Sequence, residues 1–294
     1  MSALNSVLLV YNHKSGLKLG SKFINLINKK LASQFHQVET YELKDWSGEI
    51  FKKYDQKNFD LVVAVGGDGT IRTCAKLILD YLPNAGLKII PTGSTNVLAH
   101  SLKLPRSLIK NINRLGKIGE WQSLKIDIGI LNNSFYFLDA VIIGYLAKVI
   151  NATDQKLKNF FGFGGYLLNF LRPIKPHLNS YTLKIDSQEK KYLTSTIIVA
   201  NTLNIFGFSP HQLKNFTDGH LEIMIWQAKN LFSFFSNVWC FFWPPKHSSL
   251  LLTKNITIIP EGSESLPIQI DGDQINLNPP YQITIRPQAL TIWL

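Results

Sequence analysis

Gly66-Gly67-Asp68-Gly69-Thr70 interrupts the chain between an apolar run, Leu61 to Val65, and a helical pattern that begins at Ile71. With no Cβ at positions 66, 67 and 69, backbone N–H groups can approach phosphate oxygens closely. A helix starting just beyond them adds a dipole that favours negative charge. Asp68 would repel a phosphate, so its presence there suggests a Mg²⁺ ion between the two. The competing reading is a tight turn with Thr70 as helix N-cap. Two more loops have the same character. Pro91-Thr92-Gly93-Ser94-Thr95-Asn96 offers a glycine, hydroxyls and an asparagine that opens a helix; Asn12-His13-Lys14-Ser15-Gly16 follows the first strand. Each alone could be a capped turn. Three successive strand-to-helix loops of this kind would converge at the carboxyl edge of one parallel sheet and share one phosphate site. Neither GxxxxGK[ST] nor GxGxxG occurs, so the loops are not those of a Walker or a standard dinucleotide site.

The elements that must position these loops are legible in the hydrophobic pattern. SVLLVYN reads as a strand, the segment around Phe23 to Leu31 as a helix, QVETYEL as a strand, and a helix is expected up to about Lys53. Leu61–Gly66 reads as a strand covered on both faces. Ile71, Cys74, Ala75, Ile78 and Leu82 then form one helical stripe, closed by Pro83 and Gly86. LKII and a helix from about Asn96 complete an alternation that predicts parallel βαβ units. From Leu124 onward the texture changes to short β-rich runs such as LKIDIGIL, FYFLDAVII, STIIVAN, HLEIMIW and YQITI, spaced by Gly, Pro, Asn and Asp. That pattern predicts a sandwich or barrel. The expected organisation is α/β followed by all-β, with domains at 1–125 and 126–285 and a C-terminal strand, 286–294, that rejoins the first.

Composition narrows the function classes. Of 294 residues 45% are hydrophobic and 17% charged, which argues for a globular chain. Two cysteines, Cys74 and Cys240, exclude a disulfide framework and a cysteine metal cluster. No run reaches the roughly 18 apolar residues of a membrane span, and no basic lead precedes the first strand. A cytoplasmic protein is expected. The net charge of +11 is concentrated in the first 125 residues, with 18 Lys+Arg against 9 Asp+Glu. Such a surface suits an anionic partner. No nucleic-acid motif is present, which leaves nucleotide phosphates, an anionic membrane or a merely solvated basic surface.

Taken in order, GGDGT, the PTGSTN loop and the late Asp271-Gly272-Asp273 triplet resemble the diacylglycerol kinase catalytic-domain family, which includes bacterial lipid kinases and sphingosine kinases. Asn12 to Gly16 resemble that family's NPxxG loop, with His13 in place of proline. Ser94 stands where threonine is usual, KIDIGIL around Asp127 resembles a DLG-type segment, and FTDGHLEI around Asp218 a DGxL segment. The resemblance implies a two-domain kinase with ATP on the α/β domain and the lipid on a β-sandwich. It implies nucleotide contacts from Asn12, His13, Lys14, Ser15, Gly16, Thr40, Gly66, Gly67, Asp68, Gly69, Thr70, Arg72, Thr73, Gly93, Ser94 and Asn96. It implies Asp68 and Asp273 as catalytic groups, and a structural Mg²⁺ at Asp218 aided by Asn215 and His220. Asp127 would orient water near a catalytic metal or face solvent from its strand. The GGDGT motif is shared with NAD kinases; the ordered set is not.

Two departures stand out. The triplet ends in Asp273 where glutamate is usual, one methylene shorter; as a bare sequence, DGDQ also suits a hairpin turn. After GGDGT, Arg72 and Thr73 replace a pair that usually carries glutamate; Arg72 would touch phosphate or lie solvated on its helix. Finally, Asn230 to Trp243 contains seven Phe or Trp among fourteen residues. Such a segment packs across the sandwich or lies at a headgroup interface. The expected activity is ATP- and Mg²⁺-dependent phosphorylation of a membrane lipid hydroxyl, diacylglycerol foremost, by a peripherally bound enzyme. NAD kinase and a catalytically silent binding protein are the alternatives. The oligomeric state is open, a homodimer among the options.

Overall fold

The structure, a computed structural model, describes residues 4–13, 20–43, 52, 54, 57–152, 176–202, 216–242, 251–262 and 266–294. The chain divides into two units, Met1–Ile126 with Gln288–Leu294, and Asp127–Pro287.

In the first unit, β1 (Ser6–Tyr11), β2 (Gln37–Glu42), β3 (Leu61–Gly66) and β4 (Gly86–Pro91) lie in the order β2-β1-β3-β4, all parallel. The end of the last strand, β16 (Tyr281–Trp293), adds to β4 in parallel through Ile292↔Leu87 and Trp293↔Lys88. Every residue of β3 is buried, which explains its unbroken apolar run. Helices α1 (Ser21–Ala32) and α4 (Leu108–Leu115) send Ile24, Ile27, Leu31, Ile112 and Leu115 onto Val7, Leu9, Val63 and Val65. Helix α2 (Asp68–Tyr81) packs on β3 and β4, and the whole stripe Ile71, Cys74, Ala75, Ile78 and Leu82 is buried. A short α3 (Val97–Ser101) follows β4. Since β2 and β3 flank β1 on opposite sides, the order reverses at β1. The carboxyl ends of β1 and β3 therefore bound the switch point where such sheets bind ligands.

The second unit is two antiparallel layers. One runs β12 (Leu251–Thr253), β11 (Leu221–Trp226), β10 (Thr196–Ala200), β7 (Ala140–Gly144), β14 (Ile268–Ile270), β15 (Asp273–Ile275). The other joins β8 (Asn179–Ile185), β9 (Gln188–Thr194), β13 (Asn255–Pro260) and the start of β16, which also pairs with β5 (Ser123–Leu131), itself paired with β6 (Phe135–Phe137). Ile197 and Val199 face the core between the layers with Tyr181, Leu183, Ile256 and Tyr281. Ile198 and Ala200 face outward under α5 (Tyr145–Asn151) and α6 (Leu231–Phe242). Strand β10 is thus covered on both sides, which its sequence TIIVA requires. The mixed parallel sheet with a separate antiparallel layer agrees with the expected fold class. Helices α4 and α5 were not read from the sequence, and two strands also differ from expectation. Strand β9, QEKKYLT, is polar and largely exposed, held by a two-residue turn at Asp186-Ser187. YQITI and ALTIW form one thirteen-residue strand, bent where Gln288 takes φ 48°. The helix expected up to Lys53 lies mostly outside the described residues.

Candidate active site

Two of the glycine loops meet backbone to backbone. A Cβ on Gly93 would lie 2.5 Å from the Gly67 Cα, and one on Gly67 would lie 3.1 Å from the Gly93 Cα. Only glycine at both positions lets the loops after β3 and β4 touch. The amide of Thr92 donates to the Gly66 carbonyl (2.9 Å), extending the β3–β4 ladder into the loops. Asn96, at φ 47°, braces its own loop: Oδ1 accepts from the Gly93 amide (2.9 Å) and Nδ2 donates to the Gly93 carbonyl (2.6 Å). Thr95 Oγ1 donates to Asp68 Oδ2 (3.0 Å), a cross-loop bond. Burial raises the Asp68 pKa, and the opposing pull of Thr95 and of the Val97, Leu98 and Asn96 amides does not cancel it. So Asp68 ties the two loops together.

The rest of GGDGT divides into packing and space. Thr70 lies inside α2, whose N-cap is Gly67, and its side chain folds over Gly66, where a Cβ would collide with Thr70 Oγ1. That corrects the reading of Thr70 as the cap. Gly69 is different, because a Cβ there would meet nothing within 4 Å. Its missing side chain serves no packing and leaves open space at the first turn of α2. Arg72 is buried and engaged, not solvated as one reading had it. Thr73 Oγ1 donates back to the Gly69 carbonyl (2.8 Å).

The amide of Asn12 donates to the Val65 carbonyl (3.1 Å), which fixes the first loop beside the second, and the His13 ring meets Tyr11 edge to face. Thr40 Oγ1 donates to Asn28 Oδ1 (2.8 Å). Lys14, Ser15 and Gly16 lie outside the described residues.

In the second unit the candidate carboxylates separate into distinct jobs. Asp271 and Gly272, at φ 46° and 92°, make the two-residue turn between β14 and β15. Asp271 accepts three amides, from Leu138 (2.8 Å), Asp139 (2.9 Å) and Ala140 (3.1 Å). Asp273 begins β15 and is exposed. Asp127 is fully buried, not facing solvent: Oδ2 accepts the Gly219 amide (2.7 Å), and its own amide donates to the Phe216 carbonyl. Asn201 joins the two sets, its Nδ2 donating to the carbonyls of Asp127 (2.8 Å) and Leu138 (3.1 Å). Asp218 Oδ1 accepts the His220 amide (3.0 Å), closing the turn on itself, and Asn215 lies outside the described residues. Among the described residues no three His, Cys, Asp or Glu side chains are grouped to hold a metal. Burial, then the Asp218 charge, push the nearby Glu222 carboxyl up to about 7.

Sequence reasoning had not assigned site roles to Thr95, Asn201 or Glu222. Thr95 and Glu222 carried signals: a hydroxyl just before the capping asparagine, and an acid inside HLEIMIW. Asn201 carried none, since its partners are 63 and 74 residues away.

The relatives agree with this geometry. Residues 6–129 match the family model described as the diacylglycerol kinase catalytic domain. A diacylglycerol kinase of Staphylococcus carnosus is 23% identical over 274 residues, covering 90% of this chain and 87% of the relative. One from Staphylococcus saprophyticus is 26% identical over 232 residues, covering 76% and 73%. Among solved structures, a diacylglycerol kinase from Bacillus anthracis aligns with TM-score 0.72 at 19% identity, over 98% of this chain and 96% of its own. Another chain from that organism reaches TM-score 0.79 at 21% identity, over 99% and 98%. These likenesses show a shared fold. Residues 6–129, which include the loop pair that GGDGT and PTGSTN build, are similar to the diacylglycerol kinase catalytic domain.

Proposed function

We propose that the chain is a lipid kinase that transfers the γ-phosphoryl group of ATP to a membrane lipid hydroxyl, with diacylglycerol as the acceptor and phosphatidic acid as the product. The observation that carries this reading is the Gly67–Gly93 contact, which locks two loops at the carboxyl edge of the parallel sheet beside open space at Gly69. Backbone amides of that rigid pair suit phosphate oxygens, because they need no reorganisation when charge builds in the transition state. Asn12, just past the end of β1, Thr40, inside β2, and Ser94 would contact the remainder of the nucleotide.

The described residues fit a Mg²⁺ that arrives with ATP better than a protein-built cage, since no three acidic or histidine ligands are grouped. Mg²⁺ keeps waters and phosphate oxygens as ligands and is commonly held by one or two carboxylates, here Asp68. When bound it would neutralise phosphate charge. In the transfer, the lipid hydroxyl oxygen forms a bond to the γ-phosphorus, the bond to the ADP oxygen breaks, and the hydroxyl proton passes to a carboxylate. The resemblance of Asp271–Asp273 to the family triplet assigns that role to Asp273, and its exposed place at the start of β15 supports the reading. Asp271 and Asp127 already hold backbone amides, whereas Asp273 is exposed.

A lipid acceptor requires access to a bilayer. Helix α6, LFSFFSNVWCFF, carries no charge; Phe234 is buried in the core, while Phe232 is 84% and Trp239 63% exposed. One face therefore packs and the other suits a headgroup interface. No helix among the described residues is long and apolar enough to cross a membrane. Rate measurements on two variants test the assignment of the base. Asp273→Asn should lower kcat by about 10²–10⁴, the usual worth of general-base catalysis, with ATP affinity retained. Asp273→Glu should keep or raise it. Full activity of the Asn variant would refute the base.

A further inference from the structure

A pocket of about 340 Å³ opens beside the Gly93 loop in the first unit, and its residues beyond Asn96 belong to none of the loops discussed so far. The local fold explains how it forms. Helix α3 ends in a paired cap: the Lys103 amide donates to the His100 carbonyl (3.0 Å) and the Leu104 amide to the Ala99 carbonyl (2.9 Å). Lys103 takes the left-handed conformation, φ 54°, that such a cap demands. The chain is turned back on itself, and Pro105 carries Arg106 to the rim of the pocket.

Its lining has a definite chemistry. Pro91, Ala99, Leu104 and Pro105 form apolar walls, and the only ionisable residues in the lining are His100 and Arg106. No carboxylate lines it, and Arg106 makes no ion pair among the described residues. A guanidinium with no ion pair among the described residues, with an imidazole in the same lining, presents the donor fork that matches phosphate oxygens. The Asn96 amide already braces Gly93, so the cationic pair must supply the recognition. The volume lies at the small end of ligand pockets, roughly 300–1,000 Å³. It suits a phosphate with the first carbons of its ester, not acyl chains. The composition of the first 125 residues, 18 Lys+Arg against 9 Asp+Glu, favours the same sign of ligand.

We propose that this pocket binds the phosphate of an anionic glycerophospholipid headgroup, as a second lipid site separate from the hydroxyl that is phosphorylated. It rests on the lipid-kinase reading for the identity of the ligand as a lipid, and not for the presence of a phosphate-ester site. A headgroup held there would keep the enzyme on anionic membrane between turnovers.

Binding can be read without catalysis. The full chain is titrated with monomeric dihexanoyl-phosphatidic acid, with glycerol 3-phosphate and with inorganic phosphate, and separately with ATP, by calorimetry. Wild type should bind the short-chain lipid more tightly than either soluble phosphate. Arg106→Gln, at an exposed position that the fold tolerates, should weaken that binding about tenfold or more while ATP affinity stays within twofold; His100→Gln should weaken it less. Equal lipid binding by wild type and Arg106→Gln would overturn the proposal. So would a parallel loss of ATP affinity, which would make the pocket part of the nucleotide site. Inorganic phosphate binding as tightly as the lipid would replace it with a soluble-phosphate site. None of these readouts depends on phosphoryl transfer, so a chain that transfers to no lipid would sink the kinase reading alone.

Discussion

Asp271→Ala should unfold the protein's second unit far more readily than any change at Asp273, two residues away. The Asp271 carboxylate accepts amides from Leu138, Asp139 and Ala140 at 2.8, 2.9 and 3.1 Å. Hydrogen bonds to a charged group are worth roughly 1.5–3 kcal/mol each. The three share one carboxylate, so they do not add fully, and water can reach part of the half-buried strand start. A loss of about 3–4 kcal/mol is expected, with about 1 more because alanine is forced into the left-handed conformation that Asp271 holds at φ 46°. Against a typical total of about 5–15 kcal/mol, that is a large fraction. The consequence spreads, because Asp139 and Leu138 carbonyls accept from Asn201, which also holds Asp127. Asp271→Asn keeps one acceptor and turns a donor toward the Leu138 amide, and about half the loss is expected. Asp273→Asn, at an exposed strand end, should change stability by less than about 0.5 kcal/mol. Urea unfolding followed by tryptophan fluorescence gives the three values. If Asp271→Ala came within about 1 kcal/mol of wild type, the clamp would not be structural, and the argument that singles out Asp273 as the base would lose its contrast.

Lys88 sits buried over the Trp121 ring at 4.3 Å, and burial, then the Arg114 charge, hold its pKa down to about 7. A lysine depressed on folding costs stability in full below about pH 7, and the cost fades as pH rises toward its unfolded value near 10.5. Lys88→Met should therefore stabilise the protein at pH 6 by on the order of 3 kcal/mol after allowing for the cation–π contact. Melting curves should show the advantage shrinking toward pH 10; a gap constant with pH would contradict the assignment. Gly93→Ala places a methyl 2.5 Å from the Gly67 Cα. It should cost about 1–3 kcal/mol and weaken ATP binding, and a variant that binds ATP like wild type would break the link between this contact and the nucleotide. Phe232→Ser with Trp239→Ser should reduce partition onto anionic vesicles without altering the melting temperature, since both side chains are exposed; unchanged partition would clear α6 of a membrane role.

Most of the first unit was legible because β1, β3 and β4 are buried apolar runs and its helix α2 shows one clean stripe. The loops could be read from their glycines, and Gly93 and Gly67 indeed approach where side chains could not. What resisted reading depends on distant pairing. Strand β9 exists only because β8 supplies its ladder, since its own residues alternate no apolar face. The continuity of β16 through Pro287 and Gln288 is set by partners at both ends. The carboxylates were the hardest, because Asp127, Asp271 and Asp273 are alike in sequence and differ only in which backbone amides come within reach. Thr70 changed role because α2 begins at Asp68, and Arg72 because exposure on a helix depends on what covers it.

Transfer of the labelled γ-phosphate from ATP to lipid in mixed micelles tests the central claim most directly. With Mg²⁺ present, wild type should convert diacylglycerol to labelled phosphatidic acid, and Asp273→Asn should fall by about 10²–10⁴ while remaining folded. Label appearing in no lipid while ATP still binds, or appearing in NADP when NAD is offered, would contradict the account.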